Sequence, residues 1–237
     1  MTLGASSVHY LVTMLLWSYA LKGKPGADAH AMFVYLTLSF MLSYASSLFL
    51  ERTIGERIRE GLVATDLLKP VDFQLFYMVQ SLSDLLYQGA LAMVIFGLGL
   101  IFLGGDLLPP TPEAALGGVL SVALAFLVQY GICFIFVQGI FITNSNYGIF
   151  ISRLALHQIF SGVFAPMTFF PPAFKAVAML LPFHHVIFTP VSIYLGRIQG
   201  LEIIQALGSQ LAWAIALLFL GRLLFRAIVS KIAIQGG

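Results

Sequence analysis

Residues 51–72 read ERTIGERIREGLVATDLLKPVD, and the rest of the chain is arranged around them. The 237-residue sequence holds 12 Lys+Arg and 10 Asp+Glu, and nine of these charges fall in this stretch: Glu51, Arg52, Glu56, Arg57, Arg59, Glu60, Asp66, Lys69 and Asp72. A charge at the bilayer centre costs roughly 2.5–3.5 kcal/mol, so burying the stretch in lipid would cost on the order of 20 kcal/mol. Apolar runs flank it on both sides. It is therefore a water-side loop between membrane segments.

Its spacing predicts a helix. Ile54, Ile58 and Leu62 recur every four residues on one face, while Arg52, Glu56 and Arg59 or Glu60 stand opposite, where neighbours of unlike sign pair weakly. Gly61 loosens this helix and Pro70 ends it. The expected object is an amphipathic helix lying along a membrane surface. It serves either as an interfacial anchor or, the reading adopted, as a docking helix offered to a cytosolic partner.

Composition sets the class. Hydrophobic residues make up 59% of the chain and charged residues 9%, against roughly 25% charged in soluble domains, and the mean hydropathy is +0.96. This is an all-α, polytopic membrane protein. A formal charge of +2 with no basic block excludes a nucleic-acid partner. Cys133, the single cysteine, lies in an apolar run and has no partner for an internal disulfide. No basic residue precedes the first apolar run and no cleavage pattern follows it, so that run is expected to stay. With no low-complexity tail, soluble domain or fixed-period repeat, residues 1–237 read as a single transmembrane domain.

A span needs about 20 mostly apolar residues, and six are expected: 3–21, 31–50, 84–103, 114–142, 149–169 and 203–221. Lys22, Lys24, Pro25 and Asp28 form a polar turn after the first. Ser39, Ser43, Ser46 and Ser47 in the second, and Gly89, Gly97 and Gly99 in the third, permit close helix packing. Residues 73–103 are helix-compatible for about 46 Å, longer than a bilayer core, so their first third is expected at the interface. Asp84 then falls at a helix start or headgroup level, or else is a buried functional carboxylate. Gln129, Tyr130 and Gln138 in the fourth span either line a polar path or bond neighbouring helices; His157 in the fifth, one turn after Arg153, is a further candidate for such a path. The turn between those spans reads TNSNYG, residues 143–148.

Five prolines follow: Pro166, Pro171, Pro172, Pro182 and Pro190. The apolar helix between Pro172 and Pro182 is only about 15 Å long and cannot span. With a second short apolar piece after it, residues 171–195 describe a re-entrant hairpin, a backbone tolerated only where protein or a water-filled cavity covers it. Arg222, Arg226 and Lys231 close the last span, placed to reach headgroups.

Positive charge orients the chain. With the N-terminus inside, six spans place Arg52, Arg57, Arg59, Lys69, Arg153, Arg222, Arg226 and Lys231 inside, against Lys22, Lys24, Lys175 and Arg197 outside. Both termini are then cytoplasmic.

Two segments carry a resemblance. ERTIGERIREGLVATDLLKPVDFQ, residues 51–74, looks like the polar segment, Gly and Leu-x-x-Pro connection of the membrane subunits of type 2 ATP-binding-cassette transporters, the exporter permeases. SGVFAPMTFFPPAFKAVAMLLPFHHVIFTPVSIYLG, residues 161–196, resembles that family's succession of Ser-Gly, Pro, Phe-Pro, Leu-Pro-Phe, Pro and Gly. The resemblance implies a permease half-unit of a bacterial inner membrane, paired with a second half-unit, identical or distinct, and with cytosolic ATPase subunits. It implies that residues 51–69 are a coupling helix, with Arg52, Glu56, Arg57, Arg59, Glu60 and Asp66 facing the ATPase. It also implies that Pro171, Pro172, Pro182, Phe183 and Pro190 belong to a gate at the extracellular end. Family members begin with a basic interfacial helix, and here Met1 is followed almost at once by apolar sequence, so that element is expected to be shortened or absent.

The chain has no Gly-rich loop ending in Gly-Lys-Ser/Thr, so it is expected not to be an enzyme: it binds no cofactor, and ATP belongs to a partner. His157, Ser161, His184 and His185 suggest no catalytic site, since no oxyanion donors accompany them, nor an acid or Cys at metal-ligand spacing; the histidine pair is expected at the outer interface. The alternative function is a secondary transporter or channel. Those usually place several ionisable groups at the midplane, where only Asp84, Arg153 and His157 come near.

Overall fold

Two apolar helices form the interior of the computed structural model, which describes residues 3–22, 28–143 and 145–232. α2 (Ala29–Ala45) starts at Asp28, whose carboxylate accepts the Ala31 amide at 3.0 Å. α6 (Pro112–Thr143) starts on a proline suited to a first helical turn, with Thr111 Oγ1 accepting the Ala114 amide at 3.1 Å. Their most apolar windows are 67% and 56% buried, against 18% and 17% for α5 (Phe73–Leu103) and α10 (Leu201–Ile232). Apolar on nearly every face, α5 and α10 turn theirs outward, which only a lipid surround or a partner tolerates. No strand occurs among the described residues.

α1 (Leu3–Ala20) packs on α2, where the Tyr10 and Thr37 hydroxyls meet at 2.7 Å, and Trp17 Nε1 donates to the Phe164 carbonyl at 2.8 Å. Lys24, Pro25, Asn144 and the start of the chain at Met1, all part of the sequence reading, lie outside the described residues. Among the described residues four helical stretches are long and apolar enough to cross a membrane: residues 29–59, 73–101, 112–143 and 201–229. The bent pair α8 (Pro172–Leu180) and residues 182–194, which end in α9 (Phe188–Tyr194), makes a fifth if counted as one span.

Several expectations change. Residues 73–103 are one unbroken helix, started by Asp72, whose side chain accepts the Leu75 amide at 3.0 Å. Its first turns are packed on protein: Gln74 Nε2 donates to the Leu218 carbonyl at 3.0 Å, and the Tyr130 hydroxyl to the Gln74 carbonyl. Asp84 therefore sits three turns inside a helix, half-buried, and not at a helix start. Among the described residues nothing lies within 4 Å of a Cβ built at Gly89 or Gly97, so neither brings two helices of this chain close together there. The expected fifth span is a 15-residue helix, α7 (Asn146–Phe160), which ends nine residues early where the chain turns at Ser161. His184 and His185 are buried, each 3% exposed, rather than at an interface; His185 Nδ1 lies 3.2 Å from Thr189 Oγ1 and its Nε2 3.1 Å from Ser209 Oγ.

The proline-rich segment is bent, its two helical arms at 76°, as either a re-entrant hairpin or a broken span would be. The first arm, α8, is largely exposed, and the second is buried against α6.

Candidate partner-coupling site

The charged stretch folds into α3 (Leu50–Arg59) and α4 (Val63–Leu67), separated where Gly61 takes a φ of +73° that a side chain would resist. The apolar stripe of α3 is covered by protein and not left open for lipid. The helix follows α2 after the four residues 46–49, without a bend above 40°, and its apolar side is enclosed by α6 and α7. Ile54 is fully buried among Leu48, Tyr77, Tyr130, Phe134 and Val137. Leu62, expected on that stripe, lies past the break and is 40% exposed.

Two ionic groups fix this unit. Glu51 and Arg153 pair inside the protein, their side chains 0% and 4% exposed; Arg153 Nη2 also donates to Glu51 Oε2 at 3.3 Å and to the Leu48 carbonyl at 3.5 Å. α3 is thereby tied to α7 at the point where α2 gives way to α3. The second group centres on Asp66, whose side chain is 1% exposed. It pairs with Arg57, whose Nη2 donates to Oδ1 at 2.7 Å; Lys69 Nζ donates to Oδ1 and the Tyr77 hydroxyl to Oδ2, each at 2.8 Å. Burial raises the Asp66 carboxyl, but the hydrogen bonds from Arg57, Lys69 and Tyr77 outweigh it and hold the group at about 2. Asp66 thus joins α3, α4 and α5 from within. It does not present its charge to a partner.

The remaining coupling candidates face out. Arg52 and Glu56 bond each other at 2.9 Å one turn apart, and Arg59 and Glu60 are exposed at the end of α3. Beside them an open groove of about 480 Å³ runs between α3 and α5, with Glu56, Arg57, Glu60, Lys69, Phe76 and Tyr77 on its walls. Lys69 Nζ sits 4.3 Å from the Phe76 ring centroid. The groove is polar, mixed in charge and backed by the Asp66 network.

Behind α3, Gln129 and His157 line one cavity of about 60 Å³ whose wall is mostly apolar, Leu48, Phe49 and Phe150 among it, with polar groups from Ser43, Ser46, Arg153 and Gln158. Water needs about 10–15 Å³ of such space, so the cavity has room for a few. Gln129 Oε1, His157 Nδ1 and Gln158 Oε1 are buried with no hydrogen-bond partner among the described residues. Gln138 is not part of this cavity; its Nε2 bonds the Phe134 carbonyl of its own helix at 3.0 Å. Of the gate candidates, Pro182, Phe183 and Pro190 are buried, whereas Pro171 and Pro172 are exposed at the start of α8.

The Glu51–Arg153 pair escaped the sequence reading, which treated Glu51 as a water-side charge. The available signal was Arg153 itself: a lone cation in an apolar run requires a partner.

A family model described as "ABC-2 family transporter protein" matches residues 4–236, nearly the whole chain. No curated protein matches it.

Proposed function

The chain belongs to the ABC-2 transporter family, and from that premise we propose that it is the permease half-unit of an exporter, driven by a separate cytosolic ATPase. In this reading six segments, α1, α2 with α3, α5, α6, α7 and α10, traverse a bacterial inner membrane with both termini cytoplasmic. The ATPase docks on the exposed side of α3 and in the groove between α3 and α5, contacting Arg52, Glu56, Arg59 and Glu60. A second half-unit, identical or distinct, completes the pathway. The hairpin of residues 171–195 closes its outer end, and Gln129 and His157 contribute polar lining.

The observation that carries this reading is the bracing of α3. A helix that merely anchored the chain would need no internal ion pair, since a greasy stripe in lipid suffices. Here Glu51 is locked to α7 and Arg57 to the Asp66 centre on α4 and α5. A push on the exposed face therefore moves several spans as rigid bodies, the displacement that alternating access needs.

Charge reversal at the two exposed arginines tests it. Arg52→Glu with Arg59→Glu leaves both buried ion networks intact, so the variant should insert and stay monodisperse while losing the ATPase that co-purifies with the tagged wild type in mild detergent. Full retention of the ATPase by that variant would remove α3 from the docking surface.

A further inference from the structure

On the outward side of the bundle a groove of about 360 Å³ opens between α2, α5, α6 and α9, walled by apolar residues that include Leu38, Met93, Phe96, Val119, Val122 and Tyr194. Met93 and Val119 are 60% and 65% exposed at its mouth, so the groove is open to whatever surrounds the protein. Val119 and Val122 lie roughly 10–15 Å along α6 from Pro112, at 1.5 Å per residue. In a hydrocarbon core about 30 Å thick, that is the depth of acyl chains.

A cation, Arg197, stands outside the groove wall, three residues beyond its lining residue Tyr194. Ala31, Tyr35, Leu38 and Leu42 follow one another at helical spacing on α2, the last two in the groove wall and the first two continuing toward Arg197. Arg197 Nη2 donates to the Ala31 carbonyl at 3.3 Å, and its guanidinium lies 5.2 Å from the Tyr35 ring centroid. No carboxylate among the described residues forms an ion pair with it; Asp28 acts on it only from a distance, its side chain accepting the Ala31 amide. In the spanning arrangement proposed above, on which this inference rests, Arg197 comes at headgroup level beyond the apolar trench, where its planar fork of donors complements a phosphate attached to a hydrocarbon chain.

We propose that this groove binds an anionic phospholipid of the bilayer, with one acyl chain along Leu38, Phe96 and Val122 and its phosphate on Arg197. The site is separate from the ATPase-docking surface, and its test needs no ATPase. A second copy of the chain is the competing occupant, because it too would cover Met93 and Val119.

The test places an indole in the groove. Trp17 and Trp213 are replaced by Phe, Val119→Trp is introduced, and the protein is reconstituted in nanodiscs of phosphatidylcholine doped with brominated phosphatidylglycerol or with brominated phosphatidylcholine. At equal mole fraction the phosphatidylglycerol should quench about fivefold more effectively, the factor one basic residue contributes at an anionic surface. Arg197→Gln should abolish that preference and Arg197→Lys preserve it. An indole placed instead by Phe219→Trp on the outward face of α10 should show none. Native mass spectrometry of the otherwise unaltered chain gives an independent readout, with retained phosphatidylglycerol lost on Arg197→Gln. Equal quenching by the two lipids, or a preference or retained lipid that survives Arg197→Gln, would overturn the proposal. So would absence of quenching by either lipid, which would give the groove to a second copy of the chain.

Discussion

Glu51 and Arg153, 102 residues apart, form an ion pair almost wholly enclosed by protein. It joins the first turn of the charged helix α3 to the second turn of α7, and its arginine also reaches the Leu48 carbonyl where α2 and α3 meet. Desolvating two charges offsets much of their attraction, so the pair adds little net stability, while loss of one partner strands the other charge.

Single substitutions should therefore be severe. Glu51→Leu or Arg153→Met alone is expected to cost about 3–5 kcal/mol, read as a large fall in unfolding temperature in detergent. The double variant should regain most of that loss. If its thermal stability returns but ATP-driven transport does not, the pair serves to transmit motion.

Asp66 sets an acid limit. Its carboxyl is held at about 2, against 3.8 when unperturbed, a lowering equivalent to about 2 kcal/mol. Because the folded value is the depressed one, this stabilisation is complete above about pH 4 and is lost as pH falls toward 2. Asp66→Asn should thus lower stability at neutral pH, with the gap to wild type narrowing across that window. Denaturant titrations at several pH values measure it.

Gly55 allows α3 to approach α7. A Cβ built there would stand 2.5 Å from Asn146 Cγ, so Gly55→Val should push α3 off α7 and reduce transport-coupled ATP hydrolysis several-fold. Asn146→Ala in the same chain should recover part of it. Coupled hydrolysis in proteoliposomes reads both.

The cavity behind α3 separates stability from transport. Gln129 Oε1 and His157 Nδ1 are buried and unpartnered among the described residues, and replacing such groups with apolar ones of similar shape is close to neutral or stabilising. Gln129→Leu and His157→Phe should hold or raise the unfolding temperature. A loss of transport in these stable variants then identifies the cavity with the pathway.

Much of this was legible because the bilayer imposes coarse rules. The crowding of charge in residues 51–72 located the loop, Gly61 marked its break, and the prolines from Pro171 to Pro190 marked the bend. What escaped depends on packing. Period-four spacing gave α3 an apolar face, but whether lipid or protein covers it depends on where α6 and α7 lie. The stop of α7 was signalled by Gly162, which takes a φ of +84° just past the last turn, but the apolar run that continues to Phe169 was read through it. The histidine pair looked interfacial because one partner of His185, Ser209, sits on α10, which only tertiary folding brings near, although Thr189 lies just four residues away. Asp66 was read as a charge facing a partner, whereas its carboxylate is buried and held by Arg57, Lys69 and Tyr77.

The most direct test of the central claim is site-specific photo-crosslinking in native membranes. A photoreactive residue at Arg59, on the exposed end of α3, should capture a soluble ATPase carrying a phosphate-binding loop, and the same residue at Phe219 on the outward face of α10 should not. Failure to capture any ATPase from position 59, in a chain that remains inserted and monodisperse, would contradict the account.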